Sequence, residues 1–352
     1  MPPSGAGAAL GGHRRQRQPG HGLSGLLAAA GIDVVLVVTV VNGVNNEQVG
    51  PIVQFAIDNA DKVTVVSFQP VSFTGRDEDI DDARRQRERY TLSHLVHDLH
   101  DQLGVTEPMR DWFPLSAMNP FSDVVDLLLG QSAEFGALKC GCHPNCGIGT
   151  ALLVNKRTKQ MVPVSQFLNL DQVLLDLQGI ADAGQTRTQT ITGIALSLLR
   201  NFNPDKAPPG YSFTEFSRQF LSQIGASGTR VGESEGDAKK FEWRFLFVAG
   251  MWFQDLFNYD FRRTEMCIIP NGTQMGEISF CAYNTGVGFR QIIEKMKKTA
   301  TVAEWYKTRG RHPVYAKGQN LELPQGPLSV VLGQGQLPSP FADGRKRLRL
   351  VS

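Results

Sequence analysis

Three of the chain's five cysteines lie close together, at Cys140, Cys142 and Cys146. The other two, Cys267 and Cys281, lie far downstream. Thiolates are soft ligands for zinc and for iron–sulfur clusters, and cysteines packed this closely do not suit a conventional disulfide framework. The pattern therefore predicts a metal site that joins two distant parts of the chain.

The spacing of these cysteines indicates which of them share a metal. A Cys-x-Cys pair in an extended segment points its side chains to opposite faces, so Cys140 and Cys142 are expected to serve different partners. The most economical ligand set is then Cys142, Cys146, Cys267 and Cys281, with Cys140 as an alternate ligand or a spectator. Zinc usually takes two Cys-x₂₋₄-Cys pairs, so an iron–sulfur site is favoured over structural zinc or inert buried thiols. We expect the neighbouring residue His143 to cap a turn.

The composition is that of an ordinary globular protein. The chain has 352 residues, 41% of them hydrophobic and 20% charged, which is enough for roughly two domains. The net charge of +2 gives no overall field that would attract nucleic acid. The longest apolar run, Val34–Val41, is too short to span a bilayer, and no signal peptide is recognised. We therefore expect no transmembrane segment and a location in the reducing cytoplasm.

The first structured region has the pattern of a βαβ unit. Ile32–Val41 is predicted as a fully buried strand, Glu47–Asn59 as a helix with helical apolar spacing, and Val63–Phe68 as a second buried strand. Such a unit implies a parallel sheet, and parallel sheets bind ligands at the carboxyl ends of their strands. Here those ends are residues 39–42 and 67–72.

Several separate segments resemble one enzyme family. Val37–Asn45 and Phe68–Arg76 resemble the last two barrel strands of a radical S-adenosylmethionine (SAM) enzyme. Cys142–Gly147 and Phe280–Asn284 resemble the C-terminal part of one branch of that superfamily. The branch contains archaeal tetraether lipid synthases and bacterial relatives, and its members are labelled MoaA-like or pterin methyltransferases. The resemblance covers about residues 24–320.

The resemblance implies a fold, cofactors and partners. The fold class is α/β, with the C-terminal strands of a partial (β/α)₆ barrel followed by an α+β auxiliary-cluster domain. The family cleaves SAM to a 5′-deoxyadenosyl radical for chemistry at unactivated carbon, such as the C–C coupling of lipid tails. In this chain the resemblance implies an auxiliary [4Fe–4S] cluster on the cysteines and SAM contacts from Thr39, Asn42, Gln69 and Ser72. It also implies a ferredoxin or flavodoxin as electron donor and a hydrophobic substrate, with peripheral attachment to the membrane.

The chain departs from the family at one decisive point. The catalytic cluster of the family needs Cys-x₃-Cys-x₂-Cys after the first barrel strand, and no such triplet occurs here. We therefore expect a truncated or frameshifted back half that is inactive by itself and exposes a sheet edge, which favours aggregation. The alternative is a stand-alone iron–sulfur protein for electron transfer. The expected domains are a tail, a partial barrel, an auxiliary domain and a second tail, at residues 1–22, 23–104, 105–323 and 324–352.

Two other features of the auxiliary domain admit a functional and a structural interpretation. The aromatic-rich run Trp243–Phe261 could line a lipid channel, but such a run more often forms core. Arg262, Arg263 and Lys295 could meet a phosphate, but we expect them at the surface.

Overall fold

The computed structural model describes residues 34–74, 80–129, 142–184, 186–223, 241–285 and 289–301, together with residues 304 and 307. The candidate ligand Cys140 lies outside the described residues. The strands are β1 (Val34–Val40), β2 (Val63–Pro70), β3 (Phe113–Pro114), β4 (Gly147–Asn155), β5 (Met161–Pro163), β6 (Trp243–Met251), β7 (Pro270–Thr273) and β8 (Gly276–Ser279). The helices are α1 (Val49–Asp58), α2 (Asp82–Glu88), α3 (Leu92–Leu103), α4 (Pro108–Asp111), α5 (Asn119–Leu129), α6 (Val164–Phe167), α7 (Leu170–Asp182), α8 (Arg187–Asn201), α9 (Phe213–Gln223), α10 (Phe261–Glu265), α11 (Phe280–Asn284) and α12 (Phe289–Lys297).

The main sheet has the strand order β1-β2-β6-β4-β3, with β5 also paired to β4. Strands β1, β2 and β6 are parallel, whereas β4 runs antiparallel to β6. The predicted α/β class with a parallel βαβ unit is therefore confirmed. Among the described strands the sheet is open, with β1 at one edge, and it joins strands from both sides of residue 104.

The crossover helix α1 packs closely against α3. Gly50 makes this approach possible, because a Cβ placed there would lie 2.7 Å from Cβ of Gln102. The backbone nitrogen of Gly50 instead donates a hydrogen bond to Oε1 of Gln102 at 2.8 Å. Helix α3 begins at the N-cap Thr91 and ends at Gly104, whose φ of 63° is the left-handed conformation that favours glycine at this position.

Two hydrophobic cores lie on opposite faces of the sheet. On β4, Leu152 and Val154 belong to the core formed with α1 and α3. Leu153, between them, belongs to the core formed with helices α5 to α9. This alternation is the period-two geometry of a strand that is buried on both faces. The second core is rich in aromatic side chains, and Trp243 and Phe245 of β6 belong to it, as expected for core.

Strand β1 is not buried on both faces, and that prediction is wrong. Val35 and Val37 are 51% and 61% exposed, whereas Val40 is fully buried. On β6, Phe245 is buried but Phe247 is 44% exposed. The helices of the second core pack over this face at β4 and at the beginning of β6. Among the described residues, they do not extend over β2 and β1. The Val-rich run could not distinguish one buried face from two.

The chain divides into two compact units, residues 1–289 and 290–352. In α12, Ile293 is buried whereas Ile292 and Met296 are more than half exposed. Within the described residues, no helix combines the length and apolar character that crossing a bilayer requires.

Candidate metal centre at the carboxyl edge of the sheet

The first cysteine pair lies where β4 begins. Cys142 is buried, and Cys146 ends a short 3₁₀ turn that leads directly into β4. Because β4 is antiparallel to β6, Gly147 pairs with Met251 at the end of β6. The backbone nitrogen of Trp252 also donates to the carbonyl oxygen of Cys146 at 2.8 Å. The pair therefore lies at the carboxyl edge of the parallel strands, where ligands of such sheets bind.

His143 caps the turn between the two cysteines, as the sequence predicts. Its Nδ1 accepts a hydrogen bond from the backbone nitrogen of Asn145 at 3.2 Å. The cap stabilises the turn that brings Cys142 and Cys146 together.

The second cysteine pair is held by a hairpin. Cys267 follows α10, and Cys281 lies in α11 with 7% of its surface exposed. Strands β7 and β8 connect them, and the backbone nitrogen of Phe280 donates to the carbonyl oxygen of Ile269 at 2.8 Å. The backbone nitrogen of Gln254, just after β6, donates to Sγ of Cys281 at 3.4 Å. This pair is thereby tied to the same edge of the sheet.

Arg263 connects the two pairs. It is 5% exposed, and its Nε donates to Sγ of Cys146 at 3.3 Å. Its Nη2 donates to the carbonyl oxygen of Trp252 at 2.5 Å, and its guanidinium lies 5.8 Å from the indole centroid of the same residue. The prediction that Arg263 lies at the surface is wrong. Arg263 precedes Cys267 by only four positions, and this proximity in the sequence is the signal that could have placed it near the cysteines.

The pKa shifts of Cys146 and Cys281 are consistent with Arg263 lying near both cysteine pairs. A hydrogen bond with Cys142, and then the nearby charges of Arg263 and His143, outweigh burial and lower the pKa of Cys146 to about 6. Burial raises the pKa of Cys281, the charge of Cys267 adds to that rise, and Arg263 opposes it. At neutral pH Cys146 is therefore a thiolate, and Arg263 lies near enough to both pairs to act on their charges.

The four described cysteines lie in two pairs, one at the beginning of β4 and one joined by the β7–β8 hairpin. Arg263 contacts Cys146 of the first pair, and the backbone nitrogen of Gln254 ties Cys281 of the second pair to the same edge of the sheet. Among the residues that the structure describes, no three Cys, His, Asp or Glu side chains are close enough together to hold one metal ion. Soft sulfur donors are the ligands of iron–sulfur clusters, and the buried cation offsets the negative charge that such ligands collect.

The residues expected to contact SAM divide into two kinds. Asn42 donates from Nδ2 to the carbonyl oxygen of Arg87 at 2.8 Å, and Ser72 donates from Oγ to that of Phe253 at 2.6 Å. These two side chains hold loops together. Thr39 and Gln69 are partners in the β1–β2 register, and they share the face on which Val37 is exposed. Of the four, Thr39 and Gln69 are thus the two whose side chains lie on that face.

A buried ion pair, which the sequence did not indicate, stabilises the loops beside the cysteines. The Asp255 carboxylate is fully buried and accepts from Nη1 of Arg89 at 2.6 Å and from Nη2 at 3.2 Å. It also accepts from the backbone nitrogen of Phe73 at 3.0 Å. The loop after β2 is thereby fastened to the loop after β6, which carries the Gln254 contact to Cys281.

No family model matches the chain. The chain is similar to a curated methyltransferase. It is 28% identical over 277 residues to 7,8-dihydro-6-hydroxymethylpterin dimethyltransferase of Methanocaldococcus jannaschii. The match covers 77% of this chain and 51% of that protein, so the chain spans about half the length of its curated relative. The relative's name agrees with the pterin-methyltransferase label of the resembled branch, and the similarity supports the radical SAM superfamily in general.

Proposed function

We propose that this chain is the cluster-binding part of a radical SAM enzyme and holds an auxiliary [4Fe–4S] cluster on Cys142, Cys146, Cys267 and Cys281. The observation that supports the proposal is the position of both cysteine pairs near the carboxyl edge of β1, β2 and β6, with buried Arg263 donating to Cys146 and the Gln254 backbone donating to Cys281. The similarity to a curated pterin methyltransferase supports the superfamily independently.

In this proposal the chain's own residues hold and tune the cluster. The four thiolates would ligate it, and the hydrogen bond from Arg263 to the sulfur of Cys146 would offset negative charge and favour the reduced state. Cys142 and Cys281 are the buried pair members, and the Gln254 backbone nitrogen donates to the sulfur of Cys281. When bound, the cluster supplies one-electron chemistry. Thr39 and Gln69 face the space in which the complete enzyme would hold SAM.

The complete enzyme would act at an unactivated carbon of an organic substrate. Two substrate classes follow from different observations. The resemblance to tetraether lipid synthases favours the coupling of lipid tails, with a ferredoxin or flavodoxin as electron donor. The name of the curated relative favours methylation of a pterin-like ring, and this is the specific observation for the second class.

Anaerobic reconstitution with iron and sulfide tests the cluster. We expect brown protein with about four iron and four sulfide per chain. The Cys281→Ser variant should lose this loading, and a Cys140→Ser variant is the matched control that should keep it. A colourless protein that holds one zinc ion and no iron would instead support a structural zinc site. Incubation with SAM and a reductant should release no 5′-deoxyadenosine from this chain alone; release would contradict its assignment as the cluster-binding part only.

A further inference from the structure

A second candidate site lies on the helical side of the sheet. A cavity of about 640 Å³ opens between the N-terminal end of α7 and the C-terminal end of α8. Residues of α4, β3 and α6 complete its wall. The cysteines and Arg263 are not among the described residues that line it. The cavity is therefore separate from the metal centre, and its volume is typical of small-molecule sites.

The charges around this cavity favour an anion. Arg110, Arg200 and Lys206 line it together with the Asp171 carboxylate, and the Asp111 carboxylate beside the cavity pairs with Arg110, so cations outnumber carboxylates three to two. The first turn of α7, a helix of 13 residues, adds partial positive charge. The carbonyl end of α8 opposes this, but Arg200 lies in its last turn, and the carbonyl oxygen of Asn201 already accepts from the Asn169 backbone nitrogen at 3.0 Å.

Arg110 is held in place by a buried carboxylate. Its Nε and Nη2 donate to Asp111 at 2.7 and 2.8 Å, and the Asp111 side chain is fully buried. Ser165 donates to the same carboxylate from Oγ at 2.6 Å, as does the Glu107 backbone nitrogen. Burial opposes ionisation, but these hydrogen bonds and the Arg110 charge lower the pKa of Asp111. The guanidinium is thus fixed at the cavity by its Nε and Nη2.

The cavity also has an apolar part. Phe113 and Phe202 line it, and the Phe202 ring packs edge-on against Phe167 with 5.7 Å between centroids. Together with its volume, this apolar wall indicates a ligand larger than a bare inorganic anion. We propose that the cavity binds a small organic phosphate, with the phosphate between Arg110, Arg200 and Lys206 and the organic part against the two phenylalanines.

Three ligands test the charged and the apolar part of the site separately: phenyl phosphate, inorganic phosphate and benzyl alcohol. Titrations of the full chain by isothermal calorimetry should show phenyl phosphate binding more tightly than inorganic phosphate and benzyl alcohol binding weakest. The order should be the same with and without iron–sulfur reconstitution, so the result does not depend on the metal centre. Binding of benzyl alcohol as tight as that of phenyl phosphate would overturn the proposal, as would no heat from millimolar phenyl phosphate.

Charge variants assign the phosphate position. Arg200→Gln and Lys206→Gln should each weaken phenyl phosphate binding about two- to five-fold, the range for partly exposed charge pairs. Asp171→Asn should tighten it by a similar factor. Arg218→Gln on α9, which does not line the cavity, is the matched control. Circular dichroism and thermal unfolding verify that each variant is folded. Equal affinities for all four variants and the native chain would overturn the proposal.

Discussion

Nε of Arg263 lies 3.3 Å from Sγ of Cys146, although 117 positions separate the two residues in the sequence. The contact ties α10 to the turn before β4 and so joins the two cysteine pairs. A buried guanidinium beside a thiolate is a stable arrangement only while both charges are present, because each compensates the desolvation of the other. Four predictions follow from this arrangement and from its surroundings.

Removing the cation should make the Cys146 thiol harder to ionise. In the metal-free protein, alkylation of Cys146 followed by peptide mass spectrometry should show a midpoint near pH 6. Arg263→Gln should move this midpoint toward the ordinary value of about 8.5. The neighbouring variant Arg262→Gln should leave it unchanged, because the Arg262 side chain is 79% exposed and pairs with Asp260. An unchanged midpoint in Arg263→Gln would show that the cation does not stabilise the thiolate.

The same thiol should make the stability of the metal-free protein depend on pH. The pKa of Cys146 is lower in the folded state than in the unfolded chain, so its ionisation stabilises the fold. This contribution is fully present above the unfolded pKa of about 8.5 and is lost as pH falls through about 6. Under reducing conditions, the free energy of unfolding of the native chain, measured with urea, should therefore increase as the pH rises from about 6 to about 8.5. Cys146→Ser should give a flatter profile; identical profiles would contradict the prediction.

The ion pair between Arg89 and Asp255 should contribute strongly to stability. Asp255→Asn leaves a largely buried guanidinium without its counter-charge, which costs about 3–5 kcal/mol for buried pairs. Asp82→Asn is the matched control, because the Asp82 side chain is 81% exposed and should cost under about 1 kcal/mol. Urea unfolding monitored by circular dichroism measures both. If Asp255→Asn loses no more unfolding free energy than Asp82→Asn, the pair between Arg89 and Asp255 does not behave as a buried ion pair.

The exposed face of β1 should promote aggregation. Val37 is 61% exposed on β1, which is an edge strand among the strands that the structure describes, and edge strands that expose apolar side chains pair readily with other chains. Val37→Lys should lower light scattering at equal concentration with little change in melting temperature. Val40→Lys, on the buried face of the same strand, should instead unfold the protein. Unchanged scattering by a folded Val37→Lys protein would show that this face is not the aggregating surface.

The sequence by itself determined the elements and the chemistry they carry. Short Val-rich apolar runs and helical apolar spacing over residues 32–68 predict the βαβ unit, because both patterns are set by which side chains are buried. Thiol chemistry alone marked the two cysteine patches as candidate ligands. These are local properties, and neighbouring residues are sufficient to encode them.

Only the tertiary structure decided which distant residues meet. The insertion of β6 beside β2 brings the loop at residues 252–255 to the cysteines. The aromatic sequence of this region did not predict that position, because it also suited a core or a channel. The same insertion buries Arg263 and Asp255, charged residues that sequence statistics place at the surface. Strand order and charge burial depend on the packing of segments more than a hundred residues apart, and local periodicity carries no information about that pairing.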